Sequence, residues 1–463
     1  MATHPNSSTP AAPPSATSTT AKGDPFERTL TVFDMVVYGL IFMVPIAPFS
    51  IFGNVFQSSN GMPALAYIIG MVAVIFTALS FGVMVQRFPS SGSIYAYTTG
   101  GMGKGVGFVA GWLMLLQYLV MPDLMYIMAS QALSQYLPEV PMWVWCIIFI
   151  AFVTAVTLRG IKTTIIVDRI ALVVELIVLG MFVGFGVHYI ATHPEGASFS
   201  ATAIVNPDTF NLGDMMSAVA LCIFSFVGFG SIATLSEQAK DGRRGPAKAM
   251  LISVFVLGAI FAVLCFVATC VDPTGQAFAH NPNNGFYILA QLVGGSWFGV
   301  LCALAVAIAL GVFTALAAQS TVSRILYSMG TTGALPRPLA KLNPKTNVPV
   351  IATLFVSALS LVMLTVMLPL GMDNVTKVSN FGALASYFLL NICVVWYYWI
   401  KLKDHSKPMR LLVCPIIGAV VVFALLVSLN TVAHIAGIAW ILVGIAYYLI
   451  ETKVLHHQIS MGE

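Results

Sequence analysis

The sequence carries very little charge. Only 8% of its 463 residues are Asp, Glu, Lys or Arg, whereas about a quarter are charged in an ordinary soluble domain. Hydrophobic residues make up 58% of the chain. At about 20 apolar residues per membrane span, the long apolar runs predict roughly twelve transmembrane helices and leave no room for a sizeable soluble domain. The composition therefore indicates an all-α polytopic membrane protein.

Cysteine and histidine are also scarce. The seven cysteines lie in or beside apolar runs without CxxC spacing, and the eight histidines fall in tails or at span ends. This pattern offers neither a metal site nor the acid, base or nucleophile that a membrane enzyme needs. The chain also lacks a GxxxxGK[ST] phosphate-binding loop. We therefore expect no catalytic residues, no bound metal and no cofactor.

Lysine and arginine are nearly absent from one side of the predicted membrane domain. With the N-terminus inside, only Lys377 of the 21 lysines and arginines falls outside. Because cytoplasmic loops carry the excess of these residues, both termini are predicted to be cytoplasmic, and the net charge of +4 indicates topology, not nucleic acid binding. Residues 1–25 lack a signal-peptide core and are predicted to be a disordered cytoplasmic tail. Residues 26–455 are the predicted transmembrane domain, and residues 456–463 a second cytoplasmic tail.

Two of the apolar runs contain helix breakers. Tyr38–Gly53 reads YGLIFMVPIAPFSIFG, with two prolines, and Phe224–Ser231 reads FSFVGFGS, with two glycines. A proline removes a backbone donor and clashes with the preceding turn. In hydrocarbon, the freed backbone groups are tolerated only where they line a cavity or are covered by protein. Two interrupted spans in corresponding positions of two halves indicate a secondary transporter with inverted repeats, which binds substrate at the midplane.

Several sequence stretches carry a family resemblance, in the order that the family has them: FPSSGSIYAY (Phe88–Tyr97), GFVAGWLMLLQYL (Gly107–Leu119), the second broken run with its following loop (Phe224–Met250), and Ser320–Val350. From about residue 30 to residue 453 the chain resembles the amino acid–polyamine–organocation superfamily. NFGALASYFLLN (Asn380–Asn391) is similar to bacterial putrescine importers within it.

This resemblance implies the architecture and the mode of action. The expected fold is leucine-transporter-like, with spans one to five and six to ten as a 5+5 inverted repeat and two extra helices outside. The expected activity is alternating-access transport across a bacterial inner membrane, with substrate bound between spans one, three, six and eight. The candidate substrate-binding residues lie at the two breaks and on the third span: Val44, Pro45, Ile46, Ala47, Pro48, Ser50, Gln117, Tyr118, Asp123, Phe224, Ser225, Gly228 and Gly230.

The uncharged candidates bear on the substrate. The resemblance to putrescine importers implies acidic side chains at the positions of Ser50, Gln117 and Gly230, and this chain has none there. An unpaired ammonium in low dielectric costs several kcal/mol. Half-helix amides favour a carboxylate and free carbonyls favour an ammonium. We therefore expect a zwitterionic amino acid or small monoamine, with putrescine as the alternative.

Two carboxyls lie inside predicted spans. Asp123, after Pro122 in the third span, is a candidate counter-charge for an amine, or a residue merely solvated in the outer vestibule. Glu175 lies in the fifth span where the resemblance implies a lysine that takes and releases the coupling proton. Because desolvation favours a neutral carboxyl, Glu175 is predicted to couple transport to protons. The alternative is a glutamate buried for packing.

The coupling ion and the type of transport each have a second interpretation. Hydroxyls at Thr314, Ser320 and Thr321 leave sodium coupling open. Exchange of one substrate for another, and a channel on the same scaffold, are also compatible with these motifs. The sequence favours a proton-coupled importer whose partners are a small amino acid or amine, the proton and membrane lipid.

Overall fold

The computed structural model describes residues 30–88, 94–160, 165–236, 239–331, 336–344, 346 and 348–450. Both predicted tails, residues 1–25 and 456–463, lie outside these ranges, as do residues 89–93 of the first family motif. The described chain is helical, and its only extended pairing is an isolated bridge between Leu30 and Ala239. The prediction of an all-α membrane fold is confirmed.

Sixteen α-helices form the described part of the chain. They are α1 Val32–Met43, α2 Pro48–Ser58, α3 Pro63–Arg87, α4 Ile94–Met102, α5 Lys104–Ser134, α6 Met142–Leu158, α7 Ile165–Thr192, α8 Leu212–Phe226, α9 Gly245–Val271, α10 Gly285–Gly294, α11 Ser296–Ile308, α12 Ala315–Thr331, α13 Val350–Leu370, α14 Met372–Val394, α15 Cys414–Val427 and α16 Thr431–Leu449. Four other helical segments are important below: a 3₁₀ helix at Phe229–Leu235 and π-helical turns at Ala309–Thr314, Val395–Lys401 and Met409–Val413.

The number of spans agrees with the sequence prediction. Within the described residues, ten helices are long and apolar enough to cross a membrane, and the bent pair α1 and α2 makes an eleventh span. Helix α6 is apolar and 17 residues long, which is at the short end of the range for a transmembrane helix. With α6 included, the bundle has about twelve spans.

The spans form two repeats of five, each of which begins with a broken span. The first repeat runs from α1 to α7 and the second from α8 to α14. A short helix precedes the third span in each repeat, α4 in the first and α10 in the second. Because five is an odd number of crossings, the second repeat begins on the opposite side of the membrane and is inverted.

The two broken spans pack against each other in a crossed manner. Helix α1 contacts the 3₁₀ helix Phe229–Leu235, and α2 contacts α8, so the first half of each broken span lies beside the second half of the other. The last two helices lie outside this core. Only 17% of the most apolar window of α16 is buried, against 72% for the span that contains α8.

Candidate functional site

The first break leaves several backbone groups without partners. Helix α1 ends at Met43, residues 45–47 form a turn, and α2 continues at an angle of 67°. Because Pro45 has no N–H and the Ala47 N–H bonds to Val44, the carbonyls of residues 41–43 have no hydrogen-bond donor among the described residues. The Ile46 N–H likewise has no backbone acceptor there. All residues from 44 to 53 are buried, so these polar groups are desolvated.

The second break results from one glycine conformation. Helix α8 ends at Phe226, Gly228 adopts φ 115°, and the chain continues as a 3₁₀ helix. The described residues provide no backbone acceptor for the N–H groups of residues 228–230. Gly228 also lies against the first break, because a Cβ on it would stand 2.9 Å from the Phe42 carbonyl oxygen. Free amides of one break therefore lie close to free carbonyls of the other.

Glu175 on α7 lies at the first break. Glu175 is 8% exposed. Its carboxyl lies beside the backbone N–H of Ile46, which has no backbone acceptor because of the break. The Oε2 atom has no hydrogen-bond partner within the described residues. The Glu175 carboxyl is thus placed to compete with any other acceptor for the Ile46 amide.

Buried polar side chains on α2, α5, α8 and α10 differ in whether they have hydrogen-bond partners. Ser50 on α2 and Gln117 on α5 are buried, and their polar side-chain atoms have no partner in the described structure. The Tyr287 hydroxyl from α10 lies near Ser50. Ser225 differs from these because its hydroxyl is 3.1 Å from the hydroxyl of Tyr67 on α3. Ser50 and Gln117 therefore hold unused hydrogen-bonding capacity, whereas Ser225 already has a partner.

Aromatic rings fill the space beside the second break. Phe229 contacts Phe81 at 5.2 Å and Tyr387 at 5.6 Å between ring centroids. A Cβ on Gly230 would stand 3.2 Å from the Phe81 ring, so an acidic side chain at this position requires the ring to move. Tyr118 lies close to Tyr38 and Tyr387.

Comparison with known proteins identifies the family. The amino acid permease family matches residues 29–450. The chain belongs to this family, within the amino acid–polyamine–organocation superfamily. This permease is 30% identical over 454 residues to the low-affinity putrescine importer PlaP of Escherichia coli strain K12, and the match covers 94% of this chain and 96% of PlaP.

Two further relatives of the permease have different names. It is 23% identical to the branched-chain amino acid permease BcaP of Bacillus subtilis strain 168, over 92% of this chain and 93% of BcaP. It is 21% identical to the methylthioribose transporter of the same strain, over 94% of this chain and 96% of that protein. Proteins similar to this permease over nearly their whole length are thus named for chemically different cargoes.

Asp123 lies in a different environment from the rest of the candidate set. Its carboxyl is fully buried and its polar neighbours are Ser360 of α13, Tyr126 on its own helix and Cys146 of α6. Neither carboxyl oxygen has a well-formed hydrogen bond in the described part of the chain. The structure does not bring Asp123 to the breaks, and its contact with substrate stays a prediction.

The surroundings of Asp123 form a cluster of polar side chains, here called the scaffold cluster. The Tyr126 hydroxyl donates to Gln319 Oε1 on α12 at 3.1 Å. Gln319 Nε2 donates to Ser357 Oγ on α13 at 2.8 Å and to Thr154 Oγ1 on α6 at 3.2 Å. The scaffold cluster, comprising Asp123, Tyr126, Thr154, Gln319, Ser357 and Ser360, therefore joins four spans.

Hydrogen bonds join the helices on the side of the bundle where α2 and α5 end. Asn54 of α2 donates to Asn283 Oδ1 at 2.9 Å, and Gln131 of α5 donates to Asn284 Oδ1 at 3.1 Å. Asn284 in turn donates to Gln135. These amide side chains join the second half of the first span to the end of α5 through the connection that precedes α10.

The opposite side is closed by different contacts. The Lys240 N–H donates to the Leu30 carbonyl at 2.9 Å, and Arg169 pairs with Asp34 at 3.3 Å. Contacts therefore join the bundle on both sides of the breaks, and residues 44–53 are buried between them.

Hydroxyls proposed from the sequence as a sodium site have local partners. Thr314 donates to the Ala309 carbonyl at 2.9 Å within a π-helical turn, and Thr321 donates to the Ala317 carbonyl at 2.8 Å. These bonds are typical of hydroxyls inside membrane helices, where they satisfy the side chain on its own helix.

Four aromatic residues near the site were missed by the sequence reasoning. Tyr67 and Phe81 lie on α3, Tyr287 lies on α10, and Tyr387 lies on α14 within the stretch Asn380–Asn391 that carries the resemblance to putrescine importers, where it was not singled out. Nearly every position of α3 is apolar, so no amphipathic pattern there indicates which face is turned inward. Only the packing of helices identifies them.

Proposed function

We propose that this permease is a proton-coupled importer of a zwitterionic amino acid or a small monoamine, which it carries by alternating access. The observation that carries the proposal is the juxtaposition of the two breaks. Gly228, where the free amides of residues 228–230 begin, packs directly against the Phe42 carbonyl, one of the free carbonyls of residues 41–43. Carbonyls accept from an ammonium group and amides at a helix start donate to a carboxylate, so one small region offers both ends of an α-amino acid a partner.

Glu175 is the proposed proton site. When its carboxyl is ionised, it accepts from the Ile46 amide and places a negative charge at the first break, where it repels a substrate carboxylate bound between the breaks. Protonation weakens this acceptor and removes the repulsion, because like charges in low dielectric repel strongly. Proton binding then favours substrate binding, and by thermodynamic reciprocity substrate binding favours the protonated state. A buried carboxyl with no ion-pair partner among the described residues suits this role, since desolvation disfavours the ionised form and so favours proton binding.

The lining favours a substrate of low net charge. Ser50 and Gln117 supply hydrogen bonds without charge, and Phe81 occupies the space next to Gly230. Putrescine is the second candidate substrate, because a relative that is 30% identical over most of the chain is named as a putrescine importer. A dication requires Glu175 ionised as a counter-charge, and that is incompatible with Glu175 protonated in the loaded state.

Thermal stabilisation tests the substrate class. A ligand that binds only the native state raises the unfolding temperature according to its occupancy. Purified permease is screened against neutral amino acids, cationic amino acids, monoamines and putrescine, at pH values where Glu175 is protonated or ionised. The proposal predicts stabilisation by a zwitterion or monoamine, with greater stabilisation at the lower pH. Stabilisation by putrescine alone, growing as pH rises, contradicts it and favours the second candidate.

The orientation in the membrane is part of the proposal. We infer a bacterial inner membrane location with both termini cytoplasmic and lipid around the bundle, because the charge asymmetry of the loops favours it. Cysteine labelling tests this orientation. A cysteine placed at Asp208, an exposed residue of the predicted outer connection between α7 and α8, should react with a membrane-impermeant maleimide in intact cells, and one at the exposed Lys403 should not. The reverse pattern contradicts the orientation.

A further inference from the structure

An apolar groove lies on the outside of the bundle, between α14 and α15. It has a volume of about 360 Å³ and is lined by nine apolar side chains. Phe388 and Phe423 meet across its far end, with ring centroids 5.5 Å apart. Ile400 lines the end nearest the connection between the two helices. The groove thus extends along the two helices from the paired aromatic rings toward the connection between α14 and α15.

The local backbone explains why the two helices leave this space. Helix α14 continues into the π-helical turn Val395–Lys401, and α15 is preceded by the π-helical turn Met409–Val413. A π-turn widens the helix and shifts the side chains that follow, and such turns are frequent at functional sites. Ala419 lines the groove from α15 and leaves room that a larger side chain would fill. The volume falls within the 300–1,000 Å³ typical of ligand sites.

The connection at the open end is strongly basic. Residues 401–410 contain Lys401, Lys403, Lys407 and Arg410, with Asp404 as the single acid. None of these cations forms an ion pair within the described residues. Hydrogen bonds from Ser406 hold the pKa of Asp404 below its usual range, so the connection keeps one negative charge against four positive ones. A smaller cavity of about 150 Å³ is lined partly by Lys407 and Arg410.

We propose that this groove is a binding site for an anionic phospholipid. One acyl chain lies in the groove, and the phosphate is held by the basic connection. Clusters of basic residues at the membrane surface attract anionic lipid head groups, with about 1 kcal/mol for each Lys or Arg near the surface. A zwitterionic lipid offers the groove the same chain but no net charge, so selectivity resides in the basic end. The groove walls are apolar, and the four cations at its end form no ion pair in the described structure. These features favour a lipid over a second copy of this chain, because a second copy would bring the same positive charge.

The site is placed to act on the transport core without contacting substrate. Helix α14 packs against α5, which carries Gln117, and against α8. Asn380 of α14 donates its Nδ2 to the Ala220 carbonyl of α8 at 2.7 Å. A lipid that fixes the end of α14 is therefore expected to stabilise the helices around the second break. This inference does not rest on the proposed substrate or coupling.

Native mass spectrometry of the full-length permease tests the site. Protein purified in detergent is mixed with phosphatidylglycerol or phosphatidylcholine of the same acyl chains. The proposal predicts one phosphatidylglycerol retained per chain and at least about tenfold weaker retention of phosphatidylcholine, which corresponds to about 1.4 kcal/mol. Equal retention of the two lipids indicates ordinary boundary lipid and overturns the proposal.

Two variants and their controls locate the site. Ala419→Trp fills the groove and is expected to abolish phosphatidylglycerol retention, whereas Ala439→Trp on the exposed face of α16 should not. If the variant at residue 419 unfolds, a second variant provides an independent test. Replacing Lys401, Lys403, Lys407 and Arg410 together by glutamine should lower phosphatidylglycerol retention at least about tenfold. The matched control changes Lys240, Arg244, Lys248 and Lys341 to glutamine, which removes the same number of positive charges away from the groove and should leave retention unchanged. The assignment is refuted if both test variants still retain phosphatidylglycerol. It is also refuted if the protein forms dimers that Ala419→Trp abolishes and no lipid adduct is seen.

Discussion

Two of the polar regions buried in the described structure each contain a carboxyl, and they differ in how their hydrogen bonds are satisfied. At the breaks, backbone carbonyls and amides stand without partners in the described structure, beside Glu175. In the scaffold cluster, Gln319 joins Tyr126, Thr154 and Ser357 through hydrogen bonds of 2.8–3.2 Å. Unsatisfied buried groups are costly, so the breaks are stable only if substrate, proton or water fills them during the cycle. The scaffold cluster needs no ligand except around Asp123.

This contrast assigns different roles to the two carboxyls. Glu175 lies beside the free Ile46 amide of the first break, and in the proposed function a substrate carboxylate arrives and leaves close by, which would couple its protonation to the cycle. Asp123 faces α6 and α13, which hold the scaffold cluster together, so its neutral form serves packing. The predictions that follow, from the largest expected effect to the smallest, test whether the two regions really differ in this way.

Replacement of Gly228 by alanine is expected to have the largest effect. Its φ of 115° is strained for any other residue, and a Cβ would stand 2.9 Å from the Phe42 carbonyl oxygen. We expect Gly228→Ala to lower substrate uptake by at least about 100-fold, or about 2.7 kcal/mol, in a proteoliposome assay. Gly180→Ala is the control, because a Cβ there meets nothing within 4 Å. Equal uptake by the two variants means that the second break is not part of the transport path.

Glu175→Gln is expected to separate exchange from accumulation. Glutamine keeps the size of the side chain and a carbonyl that can accept from the Ile46 amide, but it cannot bind and release a proton. The variant should lose at least about tenfold of gradient-driven uptake while substrate exchange at equal pH on both sides persists. Loss of both activities in a folded protein indicates a structural role for Glu175.

Gln319→Ala probes the scaffold cluster. It removes three side-chain hydrogen bonds, while the Thr154 and Ser357 hydroxyls keep their mutual contact at 2.7 Å and Ser357 keeps its bond to the Thr353 carbonyl. We expect a loss of about 1–3 kcal/mol of stability, read as a lower unfolding temperature in detergent. The dependence of uptake on the proton gradient in the remaining folded protein should be unchanged. A change in coupling without loss of stability would show that the scaffold cluster takes part in the cycle.

Asp123→Asn is expected to have the smallest effect. A neutral carboxyl and an amide have similar size and both can donate to Ser360, so uptake should stay within about threefold of the wild type, less than about 1 kcal/mol. The measurement is the initial rate of uptake over a range of pH. A loss of substrate affinity in this variant would restore Asp123 as a substrate residue, as the sequence predicted.

The two regions also differ in how far sequence reasoning reaches. Pro45 and Gly228 mark the breaks because each acts on its own backbone, and such local constraints are visible in the sequence. Which neighbouring helix a side chain contacts depends, in contrast, on how the helices pack. Asp123 lies only six residues after Gln117 on α5, yet its neighbours belong to α6 and α13. The ring of Phe81 beside Gly230 also follows from packing between spans distant in sequence.

Substrate-induced proton uptake tests the assignment of coupling most directly. Permease is reconstituted in liposomes with a trapped pH-sensitive dye, and the best ligand from the thermal screen is added outside without a pH gradient. The account predicts internal acidification on substrate entry for the wild type and for Asp123→Asn, and none for Glu175→Gln with substrate exchange intact. Acidification that persists in Glu175→Gln, or that disappears in Asp123→Asn alone, contradicts the assignment of the proton to the break.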